Sequence, residues 1–224
     1  MASTTRLVLL STKILFDEDY YERGLEKGIS GYSNYRWMPE LTIPMCSMLN
    51  EVLGIKQYHR VLDFGCAKGF MVRAMRLLHR KAWGCDSSKY AVAEADTEVR
   101  PYISTQMPRG IFDWIIAKDV LEHISYKTIN GVINRLSSKG RYLFCVVPLG
   151  KDGHYIVPSY NLDITHQICE SLGWWTVLLQ SHGFLVNQAT YRFPYVKTNY
   201  IGWKKGNGFI LAQSTCQTGR GRPQ

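Results

Sequence analysis

The sequence has few cysteines and lacks long apolar runs. Its 224 residues include six cysteines, none of them in a Cys-x-x-Cys pair, so neither a zinc ribbon nor a redox dithiol is expected. No stretch approaches the roughly 18 consecutive apolar residues of a membrane span. The N-terminal MASTTRLVLLSTKILF makes a poor signal peptide, because Lys13 interrupts its apolar part. These absences predict a cytoplasmic protein, in a reducing setting, that does not associate with membranes.

What is present suits a folded enzyme-sized domain. Hydrophobic residues make up 46% of the chain and aromatic residues 12%, enough for a full core. The net charge is +9, which can favour anionic partners. Arg73, Arg76 and Arg80, however, recur at helical spacing, as on the solvated face of an amphipathic helix. A nucleic-acid partner is therefore possible but not favoured.

The order of elements predicts an α/β fold. Buried strands are expected at 60–65, 82–86, 111–119 and 140–148, with helices between them, and this alternation is typical of a parallel doubly wound sheet. A helix near 170–182 and two strands, at 183–193 and 200–213, predict an antiparallel C-terminal hairpin. Three regions follow from this: an N-terminal helical and aromatic cap (1–58), the α/β domain (59–213) and a disordered basic tail (214–224).

A small-residue loop follows the first predicted strand. In VLDFGCAKGF, Gly65, Ala67 and Gly69 follow the acid Asp63. Small residues let the backbone turn sharply and approach a ligand. Their spacing at i, i+2 and i+4 differs from the G-x-G-x-x-G dinucleotide fingerprint, which disfavours an NAD-dependent oxidoreductase.

This loop resembles the first motif of class I S-adenosylmethionine-dependent methyltransferases. The likeness continues through GCD (84–86), FDWIIAKDVLEHI (112–124), GRYLFCVVP (140–148) and DITHQICESLGWWTVLLQSHGF (163–184). That last segment looks like a stretch of bacterial enzymes linked to polysaccharide or natural-product synthesis. Ala67 departs from the pattern, which usually has Gly there. The resemblance implies a Rossmann-like doubly wound sheet of seven strands, mostly parallel, and S-adenosylmethionine as the cofactor.

Carried onto this sequence, the resemblance implies a cofactor site along the strand tips. The first loop would line the methionine end, Asp86 would accept the ribose hydroxyls, and Thr105 and Gln106 would meet the adenine. The full expected set is Asp63, Gly65, Cys66, Ala67, Gly69, Asp86, Ser87, Thr105, Gln106, Lys118 and Asp119.

Methyl transfer requires an aligned acceptor and, for a hydroxyl, a base. His123 and His166 are the candidate catalytic bases; His154 is a weaker one. Asp119, Glu122 and His123 form D-x-x-E-H, which resembles a stretch of ubiquinone-pathway O-methyltransferases where such groups can bind a divalent cation. Acids that stabilise a helix start are the alternative explanation, and no metal site is expected.

The acceptor remains open at this level. A hydroxyl or amine of a small molecule, such as a sugar or other metabolite, is the leading hypothesis, and the sugar rests on resemblance. A nucleic-acid methyltransferase, in particular one acting on RNA, and a catalytically idle binding subunit with the cofactor fold are the alternatives. The aromatic residues of the cap are expected either to form a lid over the site or to pack against the sheet.

Overall fold

A computed structural model describes residues 16–216 of the protein. Its helices are α1 (Glu18–Glu22), α2 (Gly24–Lys27), α3 (Pro39–Val52), α4 (Phe70–Leu77), α5 (Lys89–Ala93), α6 (Ile129–Lys139) and α7 (Leu172–Ser181). Its strands are β1 (Arg60–Phe64), β2 (Lys81–Cys85), β3 (Ile103–Ser104), β4 (Phe112–Lys118), β5 (Gly140–Pro148), β6 (Gly150–Lys151), β7 (His154–Tyr155), β8 (Phe184–Thr190) and β9 (Asn207–Ser214).

Seven strands form one sheet in the order β3-β2-β1-β4-β5-β9-β8. The first five pair in parallel, whereas β9 runs antiparallel to both β5 and β8. The predicted doubly wound, mostly parallel sheet with an antiparallel C-terminal pair is therefore confirmed. Because β8 is antiparallel to β9, it points the same way as β1, and the segment after β8 lies at the carboxyl edge of the sheet.

Apolar side chains cover both faces of the sheet. On one face α6 and α7 bury Ile133, Leu136 and Trp175; on the other α3 and α4 bury Leu49 and Met75. Strands covered on both sides need nearly continuous apolar sequence, which explains the runs VLDF and YLFCVVP. None of the helices among residues 16–216 is long and apolar enough to span a bilayer.

Several predicted boundaries shift. The helix predicted after the second strand is short and ends at Ala93, and the Arg100 guanidinium donates hydrogen bonds to the carbonyls of Ala93 and Ala95 just beyond it (3.0 and 2.9 Å). The strand expected from residue 200 begins at Asn207. Strand β3, of two residues, carries no periodic pattern and was not predicted.

The cap and the tail fall partly outside the described residues. Residues 1–15 and 217–224 are not described. The described part of the cap contains α1, α2 and α3, together with an aromatic cluster. Ser214, assigned to the tail, is instead the last residue of β9, and its hydroxyl donates to the Ser137 carbonyl (2.6 Å).

Candidate active site

A cavity of about 620 Å³ opens at the carboxyl edge of the sheet. The loops after β1, β2, β3 and β4 form its floor, and the cap covers it with aromatic side chains. This is the edge at which doubly wound folds bind their ligands. This cavity therefore lies where the sequence predicts the cofactor.

The turn after β1 depends on two left-handed residues. Gly65 has φ +81°, and a Cβ there would lie 2.3 Å from Val120. Ala67 has φ +47°, a conformation that costs a non-glycine residue roughly 1 kcal/mol or more. The backbone N–H groups of Gly65 and Cys66 donate to the Cys85 carbonyl (2.8 and 3.1 Å). Backbone hydrogen bonds thus hold the loop against β2, and its small residues Gly65, Cys66 and Ala67 line the cavity.

Asp86 directly follows β2 and is oriented by the same loop. Its carboxylate accepts hydrogen bonds from the N–H groups of Ala67 and Ser88, both at 2.8 Å. Burial raises the pKa of Asp86, and these two donors oppose that shift. A carboxylate oxygen has more than one lone pair, so Asp86 can still accept from hydroxyl groups of a ligand in the cavity.

Asp63 is a second carboxylate on the same wall. It is 5% exposed and accepts no side-chain hydrogen bond among the described residues. Burial, reinforced by the charge of Asp86, raises the pKa of Asp63 to about 7, against the pull of Lys118. Two neighbouring buried carboxylates with no cationic partner in hydrogen-bond contact among the described residues favour a cationic ligand.

Asp119 differs because it is already paired. One carboxylate oxygen accepts from Lys118 (2.6 Å) and from Lys197 (2.8 Å), and its backbone is left-handed, with φ +54°. Burial opposes ionisation, but the two ammonium groups hold the pKa of Asp119 well below its usual range. Its other oxygen, Oδ1, is buried without a partner in the described structure.

The cap contributes a wall of tyrosines. Tyr20 and Tyr21 are buried, and they pack with Tyr32 and Tyr35. All four also line the cavity. The aromatic side chains of the cap therefore pack on one another and form part of the cavity wall; their role as a lid stays a prediction. The Lys68 ammonium binds Glu22 (2.6 Å) and ties the cap to the cofactor loop.

A hydrogen-bonded chain of three residues sets the proton position on His123. The Thr165 hydroxyl donates to Asp163 (2.6 Å), which can only accept when ionised. The Thr165 oxygen must therefore accept from Nδ1–H of His123, 2.7 Å away. Nε2 of His123 then carries the lone pair of the ring. Burial and the neighbouring His166 lower the pKa of His123 to about 4, so the ring is neutral near pH 7.

His166 and Glu122 lie against His123. Nδ1 of His166 donates to the Tyr160 carbonyl (2.9 Å), and the two imidazole rings are 4.7 Å apart. Glu122 is 1% exposed, and its Oε2 has no partner within residues 16–216. One ligand atom from each of the three residues lies within 4.8 Å of the others, so Glu122, His123 and His166 have the residue types and spacing to hold a divalent cation.

The structure brings most of the predicted site residues together. The cavity is lined by Asp63, Gly65, Cys66, Ala67, Asp86, Ser87, Thr105, Gln106, Lys118, Asp119 and His123. Gly69 and His166 are not among its lining residues. Gly69 instead begins α4 in a left-handed conformation, and its N–H donates to Cys66. His166 lies behind His123.

Four further residues at the site were not predicted from the sequence. Thr165 and Asp163 orient His123, and both belong to the DITH segment already noted for its resemblance. Arg36 and Arg135 line the cavity from the cap and from α6. Neither arginine has a sequence signature, because each reaches the site only through the packing of its helix or loop.

Comparison with known proteins agrees with this geometry. Residues 39–207 match the family described as a methyltransferase domain, which is most of the chain. The protein belongs to the class I S-adenosylmethionine-dependent methyltransferases. It is an enzyme of this class, and S-adenosylmethionine is its cofactor. A comparison with curated proteins gives no match.

Solved structures share the fold at low sequence identity. A S-adenosylmethionine-dependent methyltransferase from Archaeoglobus fulgidus is 14% identical, with a TM-score of 0.59 over 79% of this chain and 97% of that one. The 1,6-didemethyltoxoflavin-N1-methyltransferase of Burkholderia thailandensis, solved with its substrate and S-adenosylhomocysteine, is 15% identical (TM-score 0.55, 77% of each chain). The [4+2]-cyclase SpnF is also 15% identical (TM-score 0.57, 84% of this chain and 86% of that one). Such likeness shows the fold alone.

Proposed function

We propose that this methyltransferase acts on a hydroxyl or amine group of a small molecule, with His123 as the general base. The observation that carries the proposal is the chain Asp163–Thr165–His123, which leaves an unprotonated imidazole nitrogen on a residue of the cavity wall. When bound, S-adenosylmethionine supplies an activated methyl group. The protein then has to align the acceptor, exclude water and remove a proton.

Two carboxylates are proposed to hold the cofactor. Asp86 lines the cavity and is oriented by two backbone donors, so its remaining lone pairs are proposed to accept from the ribose hydroxyls. Asp63, underpaired and buried, suits the positive charge of the methionine end. Ser87, Thr105 and Gln106 line the same cavity and are proposed to contact the adenosine.

The cap supports a small acceptor. Tyr20 and Tyr32 close the cavity near His123, where the Tyr20 ring lies 6.5 Å from the imidazole. The Tyr20 hydroxyl also donates to Asp163 (3.0 Å), so the cap and the His123 chain are one unit. A wall of aromatic side chains excludes water and favours a partly apolar acceptor.

Catalysis without a metal is also proposed, although Glu122, His123 and His166 are suitably spaced. Burial and the charge of Asp119 raise the pKa of Glu122 well above its usual value, which favours the neutral acid rather than a ligand carboxylate. Lys118 and Lys197 already pair with one oxygen of the Asp119 carboxylate. Their positive charges disfavour a dication nearby.

The test is methyl transfer from S-adenosylmethionine into a metabolite extract, read by mass spectrometry. We expect one extract component to gain the mass of one methyl group with the native enzyme, and not with the matched variant His123→Gln. Cofactor binding without transfer to any small molecule would contradict the proposed acceptor class. Binding of neither S-adenosylmethionine nor S-adenosylhomocysteine would support the idle subunit.

A further inference from the structure

The connection between β8 and β9 is long and basic. It covers residues 191–206, here named the strap, and lies at the same sheet edge as the cavity. The strap contains Arg192, Lys197, Lys204 and Lys205 and no acidic residue. The absence of acids extends well beyond it, because Glu170 is the last acidic residue of the sequence. The excess positive charge of the protein is therefore concentrated in its last quarter.

The inner side of the strap is anchored. Val196 is buried, and the Phe193 ring packs against Phe144 and Phe209, with ring centroids 4.6 and 6.1 Å away. Lys197 reaches inward to Asp119 (2.8 Å) and to the Tyr160 hydroxyl (3.0 Å). These contacts hold the backbone of the strap in place, so its outer side chains project from a fixed support.

The outer side exposes aromatic rings beside cations. Tyr191, Tyr195 and Trp203 are 40%, 61% and 46% exposed. The Lys205 ammonium lies 5.6 Å from the centroid of the Tyr191 ring. Tyr191, Arg192 and Trp203 also line one shallow hollow of about 60 Å³. Large aromatic residues are seldom left exposed as a group without a partner.

We propose that the strap is a docking surface for single-stranded nucleic acid. Cations that contact phosphates and aromatic faces on which bases stack are the two elements of sequence-tolerant binding to single strands. Both are present here, and no acid of the strap opposes a polyanion. Three of its four exposed large hydrophobic residues are aromatic, the exception being Ile201, which favours stacked bases over the aliphatic interior of a lipid surface.

This inference goes beyond the proposed function and does not depend on it. Binding to the strap is measured without cofactor and without methyl transfer. The acceptor chemistry at His123 and the docking surface can therefore fail separately. If both proposals are correct, the bound nucleic acid lies at the same edge of the sheet as the cavity that receives the acceptor.

The experiment is fluorescence anisotropy with a fluorescein-labelled RNA of about ten nucleotides, titrated at several salt concentrations. The test variant is the double substitution Lys204→Gln/Lys205→Gln. Its matched control is Lys56→Gln/Lys81→Gln, which removes the same charge from exposed positions at the opposite edge of the sheet, before and at the start of its strands. Trp203→Ala tests stacking.

We expect the native protein to bind the RNA with a salt-dependent affinity. The test double variant should reduce the slope of log affinity against log salt by about 1.4, since each phosphate contact on a single strand contributes roughly 0.7. Trp203→Ala should weaken binding about tenfold and leave the slope unchanged. The control variant should bind like the native protein.

Three results would overturn the proposal. One is no RNA binding at low salt, and another is an equal loss in the test and control variants. The third is binding to phosphatidylserine-containing vesicles without binding to RNA, which would assign the strap to a membrane surface. Circular dichroism of each variant verifies that the exposed substitutions leave the fold intact.

Discussion

The two halves of the cavity are built in different ways. On the cofactor side, Asp63 and Asp86 are 23 positions apart in the chain and lie at the tips of adjacent parallel strands. On the acceptor side, His123 is oriented by Thr165 and covered by Tyr20, which come from opposite parts of the chain. The first half is a local motif, and the second is assembled by the topology. The cofactor half can therefore be predicted from a short stretch of sequence, whereas the acceptor half cannot.

The largest expected effect lies on the acceptor side. His123→Gln removes the proposed base but retains a hydrogen-bonding side chain, so methyl transfer at saturating cofactor should fall by roughly 10²–10⁴-fold. The affinity for S-adenosylhomocysteine, measured by calorimetry, should stay unchanged, since the two halves act separately. Because the pKa of His123 is about 4, the native rate on a hydroxyl acceptor at saturating cofactor should stay flat as the pH falls and decline only as it nears that value.

Removing metal ions with a chelator distinguishes a His123 that acts as a base from a His123 that binds a metal. With EDTA present the native rate should be the same as without it. A rate that is lost on chelation and restored by Zn²⁺, Mn²⁺ or Mg²⁺ would instead assign Glu122, His123 and His166 to a metal centre.

On the cofactor side, Asp86→Ala should have the next largest effect. Removing the carboxylate deletes the proposed ribose acceptor and leaves the N–H groups of Ala67 and Ser88 without it. Affinity for S-adenosylhomocysteine should fall by about 1–3 kcal/mol. Glu51→Gln, an exposed carboxylate on α3, is the control. An unchanged affinity in Asp86→Ala would remove this residue from the site.

Asp63 should make both stability and binding depend on pH. Its pKa is about 7 in the fold, above the value of an unfolded chain, so the folded state binds the proton more tightly. The empty protein should therefore lose stability as the pH rises from about 4 to about 7. A cationic ligand favours the carboxylate, so cofactor affinity should rise through the same range.

The variant Asp63→Asn tests whether Asp63 is the group responsible for this pH dependence. The variant should lack both slopes, and above pH 7 its empty form should be more stable than the native protein, by on the order of 1–3 kcal/mol. Thermal unfolding and calorimetry across pH measure the two effects. Parallel slopes in the variant and the native protein would assign the titration to another group.

The sequence predicts the parts of this fold that repeat a physical pattern. The apolar runs located β1 and β5 almost to the residue, because strands covered on both faces need continuous apolar side chains. The loop and Asp86 were predicted because strand tips converge at one edge. Strand β3 was missed, since two residues show no alternation, and the hydrogen bond from His123 to Thr165 was missed, since it links positions 42 apart.

The smallest expected effect concerns the departure at Ala67. This residue has φ +47°, which glycine adopts without strain. Ala67→Gly should stabilise the protein by about 1 kcal/mol and leave cofactor affinity within twofold. Thermal unfolding with a parallel titration of S-adenosylhomocysteine tests this. A destabilised variant would show that packing of the Ala67 methyl group contributes more stability than the strained backbone costs.

One cavity is proposed to join a carboxylate-lined cofactor half to the lone pair of His123. The test is a crystal structure with S-adenosylhomocysteine. We expect the ribose hydroxyls on Asp86, the amino group near Asp63, and the sulfur facing the space in front of His123 Nε2. A ligand whose sulfur faces away from His123, or whose ribose does not contact Asp86, would contradict it.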